Sequence, residues 1–158
     1  MAAILERTGF PPDLLELELT ESVLVQDTPE GGEAIATLRK LGVNVAIDDF
    51  GTGYASLTYL RRFNATTLKI DRSFINTMLT EQGDLAIVRA SIALGHAFGL
   101  KVIAEGVETE AQRDFLRTLG CDQAQGYLIN PPLNPDAFVA QLAKRRMRRK
   151  PALKSVAA

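Results

Sequence analysis

Five short runs of β-branched and apolar residues recur along this 158-residue chain, and helical patterns separate them. The runs cover residues 14–20, 43–49, 66–71, 100–106 and 124–129. Alternating strands and helices are typical of βαβ units, whose strands form a parallel sheet. Because βαβ crossovers are right-handed, all strands are expected to end at one edge of that sheet. The sequence therefore predicts an α/β fold.

The helical segments carry start signals that fix their expected positions. The predicted N-cap residues are Asp84, Thr109 and Asn134, and Pro135 follows the last of these at the first helical position. A shorter helix is expected from about residue 54 to residue 62.

Composition excludes several classes of protein. The net charge is −1, which gives no indication of a nucleic-acid polymer as partner. One cysteine rules out an intrachain disulfide, and no apolar stretch approaches the ~20 residues of a membrane span. We therefore expect a cytoplasmic protein without a membrane segment, or a part of a larger protein whose anchor lies elsewhere. Residues 144–150 hold six basic residues in seven; a solvated helix end or disordered tail is the first interpretation, and contact with nucleic acid or anionic lipid the second.

Acidic residues fall at the ends of consecutive predicted strands. Glu18 and Glu21 close the first run, Asp48 and Asp49 the second, Lys69 and Asp71 the third, Glu105 and Glu108 the fourth, and Gln125 opens the fifth. In parallel α/β folds the carboxyl ends of the strands meet at one mouth, where active sites form. The sequence thus predicts a cluster of carboxylates with one lysine.

Such a cluster is costly unless a cation compensates the repulsion between the carboxylates. Oxygen ligands suit Mg²⁺ or Mn²⁺, whereas one histidine and one cysteine make a zinc site of the His/Cys type improbable. Adjacent aspartates could hold two ions ~3.5–4 Å apart, as in the displacement of a phosphate ester. An isolated Asp-Asp pair is more often a helix cap or a turn. The joint pattern indicates a metal-assisted phosphoryl hydrolase or a related enzyme.

The same stretches resemble the successive motifs of the EAL domain family. They are "ELTES" (18–22), "IDDFGTGYASL" (47–57), "LKID" (68–71), "IAEGVET" (103–109) and "QGYLINPPL" (125–133). The resemblance implies a modified TIM barrel and hydrolysis of cyclic di-GMP to linear pGpG with Mg²⁺ or Mn²⁺, in bacterial second-messenger signalling.

The resemblance also implies a role for each matching residue. Glu18, Asp48, Asp49 and Glu105 would be metal ligands, with Asp48 bridging two ions. Lys69 would orient or activate the nucleophilic water, and Glu21 would anchor the loop that begins at Asp49. Glu108 and Gln125 would support the site through hydrogen bonds. The residues expected near substrate are Phe50, Gly51, Thr52, Gly53, Arg72 and Pro132, with anchoring of the loop as the alternative role of Phe50.

Two features of the family do not occur among these 158 residues. "EAL" is absent, and no asparagine precedes Asn44, although both positions supply metal ligands in the family. Residues 1–143 are therefore expected to be the C-terminal part of the domain, an incomplete barrel of about five βα units, followed by a basic tail at 144–158. The expected open barrel has two bare sheet edges with apolar inner faces, so a homodimer or completion by another chain is possible. The chain is expected to be impaired or inactive alone; the alternative is a non-catalytic module that binds cyclic di-GMP or another protein.

Overall fold

The structure is a computed structural model that describes residues 1–20, 29–53 and 64–148. Five strands run through it: β1 Glu16–Thr20, β2 Asn44–Phe50, β3 Thr67–Ile70, β4 Lys101–Ala104 and β5 Gln123–Ala124. The helices are α1 Ala2–Thr8, α2 Pro29–Lys40, α3 Arg72–Thr77, α4 Gln82–Ala97, α5 Glu110–Thr118 and α6 Pro135–Arg148, and a 3-10 turn spans Pro12–Leu14. All strands pair in parallel in the order of the chain. The predicted α/β fold with about five βα units is confirmed.

The two faces of the sheet differ sharply in polarity. Side chains of alternating residues point to opposite faces of a strand. One set packs against the helices and forms the hydrophobic core: Val45, Ile47, Leu68, Ile70, Val102 and Ala104. The registers of the strands place mostly polar residues on the other face, among them Glu16, Glu18, Asn44, Asp48, Thr67, Lys69, Lys101 and Gln123. The expectation of an apolar inner face is therefore wrong, because the apolar side chains of each strand lie on the opposite face and pack against the helices.

Two of the three predicted helix caps are confirmed. The Thr109 hydroxyl accepts the Gln112 N–H at 3.2 Å, and the Gln112 side chain accepts the Thr109 N–H in return, which completes a capping box. The Asn134 side chain accepts the Ala137 N–H at 2.9 Å. Asp84 is not a cap, because α4 begins earlier at Gln82 and the Asp84 carboxylate instead accepts a hydrogen bond from the Thr77 hydroxyl.

The fifth strand is shorter and lies earlier than predicted. It covers only Gln123–Ala124, so Gln125 follows the strand and does not open it. Its N–H still donates to the Ala104 carbonyl at 2.8 Å. Gly126 then adopts φ +155°, and a Cβ there would lie 2.3 Å from the Val107 backbone nitrogen. The chain turns at this close crossing, which ends the ladder.

Some expectations fall on residues for which no structural description is given. The short helix at 54–62 and the side chain of Glu21 lie outside the described residues. At the other end, α6 continues to Arg148, past the predicted boundary between residues 143 and 144. The division into domain and tail therefore stays a prediction. Among the described residues, no helix is both long and apolar enough to cross a bilayer.

Candidate active site

The carboxylates of Asp48 and Asp49 reach the same site because β2 is irregular at its end. The register with β3 shifts between Ile47 and Phe50, and Asp49 has φ 55°. In a regular strand two consecutive side chains point to opposite faces. The left-handed conformation of Asp49, which aspartate tolerates better than most residues, cancels that alternation.

The glycine turn after these acids closes back on Asp49. Both the N–H and the hydroxyl of Thr52 donate to the Asp49 carbonyl, at 3.3 and 2.8 Å. Gly51 has φ +101°, and a Cβ there would lie 2.9 Å from the Phe74 ring. Gly53 is exposed beside it. Phe50 packs against the hydrophobic core, which agrees with the alternative role of anchoring the loop.

Lys69 lies at the centre of the acidic cluster. Its side chain extends from β3 on the polar face, and the residue is only 3% exposed. The ammonium lies 2.6 Å from Glu18 Oε1, 2.7 Å from Glu105 Oε1 and 3.0 Å from Asp48 Oδ1. Three of the four predicted metal ligands therefore surround the predicted catalytic lysine.

Burial and these charged neighbours shift the pKa values of Lys69, Glu105 and Asp49. Burial acts to lower the pKa of Lys69, but hydrogen bonds to Glu105 and Glu18 outweigh it and raise that pKa above its ordinary value. Desolvation raises the pKa of Glu105 despite its bond to Lys69, with Asp48 and Glu18 adding to the rise. Desolvation, followed by the charge of Asp48, likewise raises the pKa of Asp49. The lysine is held charged, whereas two of the carboxylates lack full compensation.

The donor set fits a divalent metal ion. One oxygen each from Asp48, Asp49 and Glu105 lies within 4.8 Å of the other two. Asp48 Oδ1 is buried, and its partner among the described residues is the Lys69 ammonium at 3.0 Å, which Glu18 and Glu105 also contact. One ammonium shared by three carboxylates leaves negative charge uncompensated, and a coordinated cation would supply the missing positive charge. Three hard oxygen donors are the chemistry that Mg²⁺ and Mn²⁺ prefer.

A groove of about 470 Å³ opens beside this cluster. Its described lining is Asp49, Asp71, Arg72, Glu105, Gly106, Glu108, Gln125, Gly126 and Tyr127. It thus brings together two predicted metal ligands with three further predicted site residues, Arg72, Glu108 and Gln125. Pro132 is exposed and is not among the described residues that line the groove.

The groove also contains residues to which the sequence analysis gave no role. Asp71 caps α3 by accepting the Ser73 N–H at 2.9 Å, and hydrogen bonds from Ser73 lower its pKa against the opposing effect of burial. Tyr127 is 67% exposed and offers an aromatic ring to the groove. Gly106 lies so close to Arg72 that a Cβ would come within 2.5 Å of the Arg72 Cβ. The position of Tyr127 directly after Gln125-Gly126 was the sequence signal that could have identified it as a residue of the site.

Comparison with known proteins gives consistent matches. The family model described as EAL domain matches residues 1–132. Over 137 residues the chain is 47% identical to MucR of Pseudomonas aeruginosa, a bifunctional diguanylate cyclase/cyclic di-GMP phosphodiesterase. That alignment covers 87% of this chain and 20% of MucR. The chain spans about a fifth of the length of the first curated relatives that it matches.

Solved structures place nucleotide and metal in similar folds. The PaMucR phosphodiesterase in complex with c-di-GMP superposes with a TM-score of 0.83 at 46% identity, over 87% of this chain and 56% of that chain. Klebsiella pneumoniae BlrP1, in a manganese/cyclic di-GMP complex, superposes with a TM-score of 0.72 at 32% identity. That match covers 78% of this chain and 32% of BlrP1.

Proposed function

The chain belongs to the EAL domain family, and on that premise we propose that its acidic cluster is a site for hydrolysis of cyclic di-GMP to linear pGpG. The proposed cofactor is Mg²⁺ or Mn²⁺. The observation that carries this proposal is the convergence of Asp48, Asp49 and Glu105 within 4.8 Å, with a buried lysine among the acids.

The metal ligands in this proposal are Asp48, Asp49 and Glu105, with Glu18 as a further ligand on β1. Divalent cations held there would stabilise the negative charge that develops on the phosphoryl oxygens. Asp48, like Glu105, belongs both to the convergent triad and to the set of Lys69 contacts. Among the described residues its buried Oδ1 has only a share of the Lys69 ammonium, which supports this role.

Lys69 would orient the attacking water, since an ammonium has three N–H donors and that of Lys69 lies beside Glu105, one of the proposed metal ligands. In the reaction, the water oxygen bonds to one phosphorus atom and the bond from that phosphorus to the ribose 3′ oxygen breaks. One proton of the water is lost to solvent, and the released 3′ oxygen gains a proton. One ring opening gives linear pGpG with a single 5′ phosphate.

The groove would receive the nucleotide. Arg72 supplies positive charge in the groove that Glu105 and Glu108 also line, and a second phosphate could be bound there. Glu108 and Gln125 would fix the groove through hydrogen bonds, and the turn at 51–53 would close over the substrate. Pro132 is retained in the proposal only as a neighbour of substrate, and Glu21 as the anchor of the loop.

A second function, binding without turnover, is favoured by one observation. Within the described residues, β1 and β5 each pair on one side only, and the Glu18 side chain is 50% exposed beside the cluster. The family's two further ligands, on the Glu-Ala-Leu stretch and an early asparagine, do not occur among the 158 residues. We therefore propose, as the alternative to the enzyme, that these residues form a module that binds cyclic di-GMP without turnover.

The test is hydrolysis of cyclic di-GMP by the purified 158-residue chain with Mn²⁺ or Mg²⁺, with chromatography of the products. Asp48→Asn removes the shared ligand, and Asp13→Asn, an exposed aspartate outside the site, is the matched control. Linear pGpG from the wild type and Asp13→Asn, but not from Asp48→Asn, supports the enzyme. Nucleotide binding without product, measured by calorimetry, supports the binding module. A folded protein that does neither refutes both proposals.

A further inference from the structure

The ammonium of Lys69 and a divalent cation would need two of the same carboxylates. Lys69 contacts Glu18, Asp48 and Glu105, whereas the convergent triad consists of Asp48, Asp49 and Glu105. The two sets share Asp48 and Glu105. Both of those side chains are only 18% exposed, so neither can easily turn to water as an alternative.

Without a metal ion, Lys69 is the cation that holds the carboxylates together. It lies within 3.0 Å of three of them, and its own side chain is 4% exposed. Removing one partner of a buried ion pair leaves uncompensated charge and is strongly destabilising. Here the loss of the ammonium would leave several carboxylates facing one another.

We propose that Lys69 is the internal counter-ion of the metal-free site and that an entering divalent cation takes over Asp48 and Glu105 from it. This inference rests on the proposed metal site and deepens it. The exchange frees at least one N–H donor of Lys69. Metal entry therefore also prepares the lysine to contact the attacking water, and an empty site keeps that donor engaged.

A counter-ion role of Lys69 differs from a merely structural salt bridge, because a metal ion can replace the lysine only in the first case. If Lys69 is a counter-ion, a divalent cation compensates for its loss. If Lys69 mainly fixes the packing of β3, no ion restores stability. The competition also predicts that removal of Lys69 strengthens metal binding, because the two cations no longer share Asp48 and Glu105.

The experiment compares Lys69→Met with Lys101→Met, a change of an exposed lysine on the neighbouring strand β4. Melting temperatures are measured in EDTA and in increasing Mn²⁺, and Mn²⁺ binding is measured by calorimetry. In EDTA we expect Lys69→Met to melt roughly 10 °C below the wild type and Lys101→Met close to it. Saturating Mn²⁺ should remove most of that deficit, which by linkage requires Lys69→Met to bind Mn²⁺ roughly 100-fold more tightly than the wild type.

A double variant keeps the test informative if Lys69→Met does not fold in EDTA. Lys69→Met combined with Glu105→Gln removes one charge of the repelling set and should recover part of the lost stability. No recovery, or a Lys69→Met protein that stays unfolded in Mn²⁺, overturns the inference. Equal Mn²⁺ binding by the wild type and Lys69→Met overturns it while leaving the proposed function standing. Absence of Mn²⁺ binding in every variant refutes both.

Discussion

Asp48 and Asp49 are consecutive residues of one strand, yet a carboxylate oxygen of each lies within 4.8 Å of the other. The φ angle of 55° at Asp49 makes this possible, because it turns the second side chain back toward the face that carries the first. A non-glycine residue in this conformation usually stores strain, and such strain concentrates at functional sites. The pair is therefore a built feature of the site, and it can be tested by substitution.

Asp49→Asn should separate the charge of Asp49 from its backbone conformation. Asparagine tolerates the left-handed region about as well as aspartate, so the free energy of unfolding should change little in EDTA. Asp49→Ala should unfold more easily by about 1 kcal/mol or more, because alanine lacks that tolerance. Urea denaturation measures both. Equal stability of the two variants would contradict the role assigned to the backbone.

Tyr127 should contribute to nucleotide binding through its ring. It is largely exposed and lines the same groove as Arg72. Stacking of a base on an aromatic side chain is worth about 1–3 kcal/mol, so Tyr127→Ala should weaken cyclic di-GMP binding by roughly tenfold or more. Tyr127→Phe keeps the ring and should bind as the wild type does. Calorimetric titration in Ca²⁺ or Mn²⁺ distinguishes them, and unchanged binding by Tyr127→Ala would exclude the contact.

Gly106→Ala, a substitution in the groove, should destabilise the protein for two reasons. Its φ of +70° is unfavourable for alanine, and the new Cβ would lie 2.5 Å from the Arg72 Cβ. We expect a loss of more than about 1 kcal/mol in the free energy of unfolding. Gly83→Ala is the matched control, since nothing lies within 4 Å of its Cβ and it sits in helix α4. That change should stabilise the protein by up to about 1 kcal/mol.

Asp122 lies at the edge of the sheet, away from the site, and should make the free energy of unfolding depend on pH. Its carboxylate accepts the Val102 N–H at 2.8 Å and lies 3.0 Å from His96 Nε2. The Val102 hydrogen bond, aided by His96, lowers the pKa of Asp122 below its ordinary value. The stabilisation is therefore complete at neutral pH and is lost as pH falls through the lowered pKa.

Asp122→Ala should cost about 1 kcal/mol at pH 7, and its deficit should shrink in strongly acidic solution. The half-exposed position of the carboxylate keeps the figure small. Asp114→Asn, which alters an exposed ion pair with Arg113, serves as the control and should change stability little. Denaturation curves at pH 7 and near pH 3 measure the difference. A deficit that grows on acidification would contradict the assigned sign.

Much of the fold followed from local patterns in the sequence. Thr109 and Asn134 cap helices as predicted, because capping depends on a few neighbouring residues. Asp84 did not, because a tertiary partner, the Thr77 hydroxyl, competes for its carboxylate. The fifth strand was misplaced because its end depends on the close crossing of Gly126 and Val107, two residues that follow different strands.

The sequence alone determined the chemistry available to this protein. The order of strands and helices brings the acids to one edge of a parallel sheet, and the motifs identify their family. Only the tertiary structure decided which groups meet. The irregular end of β2 brings the carboxylates of Asp48 and Asp49 together, and Lys69 is buried among acids from β1, β2 and the end of β4. The physical reason is that side-chain contacts across a sheet depend on register and on single backbone angles. Periodicity in a sequence predicts neither.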